Sequence, residues 1–283
     1  MIDVSRTVAD VLGHATAELR LAGIEDPRRE AERIWGGLRR EGRSAAILSR
    51  HEVLQPDAGI RYADAVRRRA LGEPLAYVTG WCGFRRLELR IDRRALIPRP
   101  ETELLVELVL ERAAAGTVAD VGTGSGCIAL SLLDEGRFDR VYAIDHSRPA
   151  LELARENAAL VGHRPHFMRA NFASALGPAS CDALVSNPPY LTDAEHGALD
   201  PGVRDWEPVL ALASGADGMQ ATWELLTDGL RVVRPGGWIA LELDASRADL
   251  AARAAESAGW ARVSVINDLF GRERYLLAQR SDA

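Results

Sequence analysis

The 283-residue sequence is 47% hydrophobic and 27% charged, with a formal net charge of −6, and all of its basic residues other than histidine are arginine. That composition fits a globular chain with a sizeable core; it excludes a bilayer-spanning apolar run and argues against a protein that coats nucleic acid nonspecifically, leaving room only for a local basic groove. Cys82, Cys127 and Cys181 stand far apart, and none of the six histidines (His14, His51, His146, His163, His166 and His196) has metal-ligand spacing, so neither a disulfide framework nor a metal site is expected.

The first segment, Met1 to Arg20, reads as an amphipathic helix with Val8, Val11, Leu12, Ala15 and Leu19 on one stripe and Gly23 as its stop. It carries Asp3, Asp10 and Glu18 and lacks the basic flank and apolar stretch of a secretory signal, which places the protein in the cytoplasm with no membrane partner. Asp26 caps a second helix with Pro27 at its first position and Ala31, Ile34, Trp35 and Leu38 facing inward. A further helix from about Asp57 to Leu71 is expected to bury Ile60, Ala63 and Val66, to expose Arg67, Arg68 and Arg69, and to stop at Gly72. Residues 1–72 thus form a small helical domain, and residues 73–100 a hairpin linker in which Phe84, Leu87, Leu89 and Ile91 include a strand-like alternation after a turn near Gly80.

From residue 101 to 283 short apolar runs alternate with helical patterns. Val118 to Val121, Val141 to Ile144, Ala183 to Val185 and Trp238 to Leu243 predict strands of a doubly wound, mostly parallel α/β sheet. Arg262 to Ile266 and Arg274 to Ala278 follow each other without a helix between them, which predicts an antiparallel C-terminal hairpin.

Two loops of this sheet carry chemistry. Asp120, Val121, Gly122, Thr123, Gly124, Ser125 and Gly126 leave the first of these strands and open a helix at Cys127, where glycines allow close backbone approach to a ligand and the helix start offers free amides. Dinucleotide folds use the same device, so the loop alone is weak evidence. Asp145, at the end of the next strand, offers acceptors for two ribose hydroxyls, and Asp120 favours a methyltransferase over a nicotinamide enzyme.

The second loop is Asn187, Pro188, Pro189, Tyr190, directly after an apolar strand. Two prolines fix the backbone and remove two donors, so the Asn187 side-chain oxygen and the Pro188 carbonyl become neighbouring acceptors for the two hydrogens of an NH2 group, with Pro189 and Tyr190 completing the substrate side of the turn. Holding both hydrogens directs a nitrogen lone pair at an electrophilic methyl carbon, and the acceptors become more stabilising as charge grows on nitrogen. Tyr190 would cover the flat face of the target group.

With these loops the chain resembles the protein-(glutamine-N5) methyltransferases that modify bacterial peptide-chain release factors. Further matches are Gly72 to Tyr77 with Gly80, Leu96 to Glu103, Glu207 with Pro208, Ala211, Leu212, Gly215, Asp217 and Gly218, Pro235 to Gly237, and Asp268 with Gly271, Arg272 and Arg274. The resemblance implies a class I methyltransferase domain behind a helical domain that docks the protein substrate. It implies transfer from S-adenosyl-L-methionine to the Gly-Gly-Gln glutamine of a release factor, without stable nucleic acid binding. Matching positions would set Gly122 to Gly126 against the methionine part of the cofactor, Asp145 on its ribose, Ile97 to Glu103 nearby, and Asn187 against both cofactor and glutamine.

Two positions depart from the family pattern. Asn171 with Phe172 stands where an aspartate and a bulky hydrophobic residue are usual near the adenine, and Leu243, Asp244, Ala245 follow Glu242 where a glycine is usual. Asn171 retains hydrogen-bonding capacity toward an adenine edge, and Phe172 can stack on the ring. An adenine-N6 methyltransferase would use the same acceptors but needs an electropositive track, for which only the arginines between Arg61 and Arg99 qualify; a noncatalytic binding subunit would not need both loops intact. Trp206, beside Glu207 and Pro208, suits either a substrate lip or core packing.

Overall fold

The computed structural model describes residues 7–42 and 44–282, and the start of the first expected helix, Met1 to Arg6 with Asp3, lies outside them. Among the described residues no helix is long and apolar enough to cross a membrane. The chain divides into two compact units, one of residues 1–81 with 200–206 and one of residues 82–199 with 207–283.

In the first unit, α1 (Val8–Leu21) starts at a capping box between Thr7 and Asp10, and α2 (Pro27–Arg39) starts at Asp26, whose side chain accepts from the Arg29 amide. Next come α3 (Ser44–Leu48), α4 (Pro56–Ala70) and α5 (Leu75–Thr79). The core gathers Leu19, Ala31, Ile34, Trp35, Tyr62, Ala65 and Val66. The expected face of α4 is corrected: Ile60 is 70% exposed and Ala63 is exposed, while Tyr62 and Ala65 are buried. Tyr62 wins the interior position because its hydroxyl donates to the Ala31 carbonyl at 3.1 Å and its ring meets Trp35 edge-on. Arg68 and Arg69 also leave the solvated face, the first paired with Glu73 and the second with Glu30.

The hairpin strands are β1 (Trp81–Phe84) and β2 (Leu87–Arg90), and α5 occupies part of the segment read as linker. The second unit continues through α6 (Pro100–Arg112), β3 (Ala115–Val121), α7 (Cys127–Glu135), β4 (Arg137–Asp145), α8 (Arg148–Val161), β5 (His166–Arg169) and β6 (Cys181–Ser186). After the short α9 (Asp193–Gly197), and α10 (Pro201–Arg204) of the first unit, come α11 (Gln220–Val232), β7 (Val233–Glu242), α12 (Ala248–Ala258), β8 (Trp260–Asn267) and β9 (Glu273–Arg280).

Among the described residues seven strands form one sheet in the order β5-β4-β3-β6-β7-β9-β8, parallel from β5 to β7, with β9 antiparallel to both β7 and β8. Side chains alternate across it: Ala119, Val121, Leu184 and Leu241 pack with α11 and α12, while Val118, Val185 and Ala240 pack with α6 and α7. The strand order reverses between β3 and β6, and a doubly wound sheet opens a crevice at the carboxyl ends of its strands at such a point.

Candidate functional site

The crevice is a cavity of about 330 Å³ whose wall includes Gly122, Thr123, Gly124, Ser125, Asp145, Asn171, Phe172, Asn187, Pro188 and Pro189. Residues from both loops, predicted separately, therefore meet in one pocket of the size that holds a small ligand. Gly126, Asp120 and Tyr190 stand outside that wall. Gly126 is the N-cap of α7 at φ 86°, where an added Cβ would press on Leu130 and Ala154 at 3.2 and 3.3 Å.

Gly122 and Gly124 have φ of 77° and 55°, left-handed values that other residues adopt only with strain. A Cβ at either would find no atom closer than 3.8 Å, so the loop leaves an open cradle. The Gly122 and Thr123 amides donate to the Ile144 carbonyl at 2.8 and 2.9 Å, and the Gly124 amide donates to Asp145 Oδ2 at 2.9 Å. Asp145 Oδ1 accepts from the Ser147 amide at 2.8 Å, which leaves each carboxylate oxygen further acceptor capacity for a pair of hydroxyls. Burial raises the Asp145 pKa against the lowering effect of these two backbone bonds.

Asp120 is fully buried beneath the loop; its Oδ2 accepts from Thr123 Oγ1 at 2.6 Å and from the Ala129 amide at 3.1 Å. Among the described residues its Oδ1 has no hydrogen-bond partner, and burial pushes the carboxyl up to about 7. Asn171 is exposed at the cavity wall, and Phe172 is half-buried with φ of 45°, a strained conformation at a cavity-lining position. The cradle, the Asp145 acceptors and this aromatic side chain together fit an adenosyl group with a polar tail.

On the other wall, Asn187 Nδ2 donates to Thr102 Oγ1 at 3.1 Å, and Thr102 Oγ1 donates to Glu242 Oε2 at 2.7 Å. That pairing leaves the Asn187 oxygen as the atom able to accept from a ligand. Burial pushes Glu242 up to about 7 and Tyr190 up to about 12, the latter aided by the Glu242 charge. The Tyr190 amide donates to the Leu212 carbonyl at 3.2 Å, and Gly218 lies so close to the Tyr190 carbonyl that a Cβ there would come within 2.4 Å.

Thr102 falls in the stretch that the family resemblance brings near the cofactor and Arg94 in the run of arginines between Arg61 and Arg99, whereas Ala95, Ser147, Ser186 and Leu210 line the cavity without a local sequence signal. Ser186 donates to the Val121 carbonyl at 2.6 Å, which ties the strand before the Asn187–Tyr190 turn to the strand before the glycine loop. Glu207 accepts from Arg99 Nη2 at 2.6 Å and from the Ile97 amide at 3.3 Å, holding the cavity edge together. Trp206 belongs to the first compact unit and Glu207 to the second. Asp244 caps the 3-10 turn Ala245–Arg247 and pairs with Arg247 at 3.4 Å, so the departure after Glu242 is a locally closed turn.

Residues 10–80 match the family model of the PrmC N-terminal domain, and residues 100–199 match that of the Methyltransferase small domain. A release factor glutamine methyltransferase of Deinococcus radiodurans is 41% identical over 276 residues, covering 96% of this chain and 98% of that protein. One from Moorella thermoacetica is 40% identical over 282 residues, covering 98% and 99%. Among solved structures, a methyltransferase from Pyrococcus furiosus aligns with a TM-score of 0.53 at 18% identity over 69% of this chain and 89% of its own, a likeness of fold.

Proposed function

Because the chain belongs to the release factor glutamine methyltransferase family, we propose that it methylates the side-chain nitrogen (N5) of the Gly-Gly-Gln glutamine in a bacterial peptide-chain release factor, with S-adenosyl-L-methionine as methyl donor. The observation that supports this reading is the pairing of Asn187 with Thr102, which leaves the Asn187 oxygen free of that bond to accept from an incoming NH2 group, in a residue that lines the same cavity as the glycine cradle. When bound, S-adenosyl-L-methionine supplies an electrophilic methyl carbon on a sulfonium.

Gly122 to Ser125 hold the methionine end and Asp145 accepts from the ribose hydroxyls, while Asn171 and Phe172 meet the adenine. Asp120 fixes the loop from below through Thr123 and Ala129. Asn187 and the Pro188 carbonyl take the two amide hydrogens and Tyr190 flanks the target group, so nitrogen faces the methyl carbon. The methyl group that bound S-adenosyl-L-methionine would supply passes to this nitrogen, S-adenosylhomocysteine would be the coproduct, and the nitrogen gives up one proton to solvent. The two acceptors stabilise the positive charge that develops on nitrogen.

The helical segment of residues 1–72 docks the release factor, residues 73–100 connect it, and residues 101–283 carry the transfer site. The enzyme works in the cytoplasm and does not form a stable complex with nucleic acid. Transfer of labelled methyl to purified release factor, beside a copy whose Gly-Gly-Gln glutamine is replaced and beside adenine-containing DNA, tests the proposal. Label is expected on the intact release factor alone; label on DNA, or on neither substrate, overturns it.

A further inference from the structure

Asn187, Thr102 and Glu242 come from the end of β6, the first turn of α6 and the end of β7, and they meet only in the folded chain, 85 and 140 residues apart. Thr102 and Glu242 are 2% and 1% exposed. We propose that the Glu242 carboxylate is a positioning residue that fixes, through the single hydroxyl proton of Thr102, which end of the Asn187 amide faces the substrate. The inference rests on the glutamine-amide reading above and adds to it the control of the acceptor.

A threonine hydroxyl has one proton to give and lone pairs to receive with. Ionised Glu242 only accepts, so it takes that proton, and the remaining lone pairs of Thr102 Oγ1 can meet only a donor. Asn187 must then turn its NH2 inward and its oxygen outward, toward the hydrogens of the substrate amide. Protonated Glu242 can donate to Thr102 instead; the hydroxyl proton then goes to the Asn187 oxygen, the amide flips, and it presents its own NH2 to the substrate NH2. Two donors face each other and the amide is no longer held for transfer. The ionised form is therefore the working form.

The surroundings put this choice near neutrality. Arg274 and Arg99 favour the carboxylate, as does the bond from Thr102, while Glu101 opposes it and burial opposes it most, so that Glu242 titrates at about 7. From β9, Tyr275 stands opposite Glu242 in the strand register and gives its hydroxyl to the Glu101 carbonyl at 2.6 Å, and Arg274 is itself held by Asp268 at 2.9 Å. Tyr190, facing Glu242 from the catalytic turn, stays a neutral phenol.

The test measures kcat on release factor at saturating S-adenosyl-L-methionine from about pH 5.5 to 9, together with the 15N side-chain resonance of Asn187 in enzyme without substrate. In the unmodified enzyme kcat should fall below about pH 7, approaching tenfold per unit, and the Asn187 resonance should move through the same midpoint. Glu242→Gln can turn either its oxygen or its NH2 to Thr102 and so no longer fixes the Asn187 amide; it should lower kcat at pH 8 by up to about ten- to a hundredfold and lose both the acidic limb and the movement of the resonance. Thr102→Val should do the same with the carboxylate intact, whereas Thr102→Ser should retain rate and profile. Affinity for S-adenosylhomocysteine should barely change in any of them.

Full kcat in Thr102→Val, or an acidic limb that persists in Glu242→Gln, overturns the relay. If Glu242→Gln does not fold, Thr102→Val decides by the same readings. If the unmodified enzyme does not label release factor, the substrate reading fails by itself, and the Asn187 resonance, which needs no substrate, still decides the relay.

Discussion

Gly124 donates its backbone amide to Asp145 Oδ2 at 2.9 Å, so the carboxylate proposed to grip the ribose also fixes the glycine cradle proposed to hold the methionine end. Loop shape and the proposed ribose contact are thus coupled through one carboxylate. Asp145→Ala should raise the dissociation constant for S-adenosylhomocysteine about ten- to a hundredfold, the range for losing hydrogen bonds to a charged group. Isothermal titration calorimetry reads it directly, and an unchanged constant would remove Asp145 from the cofactor site.

Asn187→Ala should separate from that variant in kind. It removes an acceptor whose contribution grows as charge develops on nitrogen, so kcat should fall by about a hundred- to a thousandfold. Cofactor affinity should stay close to that of the unmodified protein. If calorimetry finds both variants equally impaired in cofactor binding, the assignment of Asn187 to transfer is wrong.

The two loops were legible in the sequence because each is local: glycines at left-handed φ after β3, and two prolines after β6, need only neighbouring residues to be read. The central strands were legible from their apolar runs. β5 was not, because its four residues His166 to Arg169 form an edge strand with only Phe167 and Met168 apolar. The face of α4 was misjudged since periodicity counts Ile60 as core while the Tyr62 hydroxyl has a backbone acceptor waiting in α2. Nothing local could announce Thr102 with Glu242, which a parallel sheet brings together across 140 residues.

Glu207 supports the cavity from its edge. Its side chain is 1% exposed and takes hydrogens from Arg99 and from the Ile97 amide. In Glu207→Ala the buried Ile97 amide loses its acceptor, while Arg99, 33% exposed at its side chain, can turn to water. The expected cost is about 2 kcal/mol, dominated by the orphaned amide. For a chain of this size that lowers Tm by roughly 4–8 °C, and Glu207→Gln, which keeps an acceptor, should recover most of it. A thermal melt of Glu207→Ala indistinguishable from the unmodified protein would show that the Ile97 segment stands without it.

The two buried carboxyls at about 7, Asp120 and Glu242, also set how stability varies with pH. In the unfolded chain such groups titrate near 4, so between about pH 4.5 and 7 the folded state binds more protons than the unfolded state. A carboxyl with a raised folded pKa contributes stability that is fully present below its unfolded pKa and is lost as pH rises through the folded one. The cofactor-free protein should therefore melt at a higher temperature near pH 5 than near pH 8. Each group contributes a slope of at most about 1.4 kcal/mol per pH unit. Asp92 and Glu135, held low chiefly by hydrogen bonds from Arg94 and Arg85, act with the opposite sign but below about pH 4.5, outside this window. Asp120→Asn keeps an acceptor for Thr123 and Ala129 without the charge, and it should flatten the dependence in part; adding Glu242→Gln should flatten it further. A dependence from pH 5 to pH 8 that is the same in the doubly substituted protein as in the unmodified one would mean that these carboxyls do not titrate there, which would also remove the acidic limb expected of kcat.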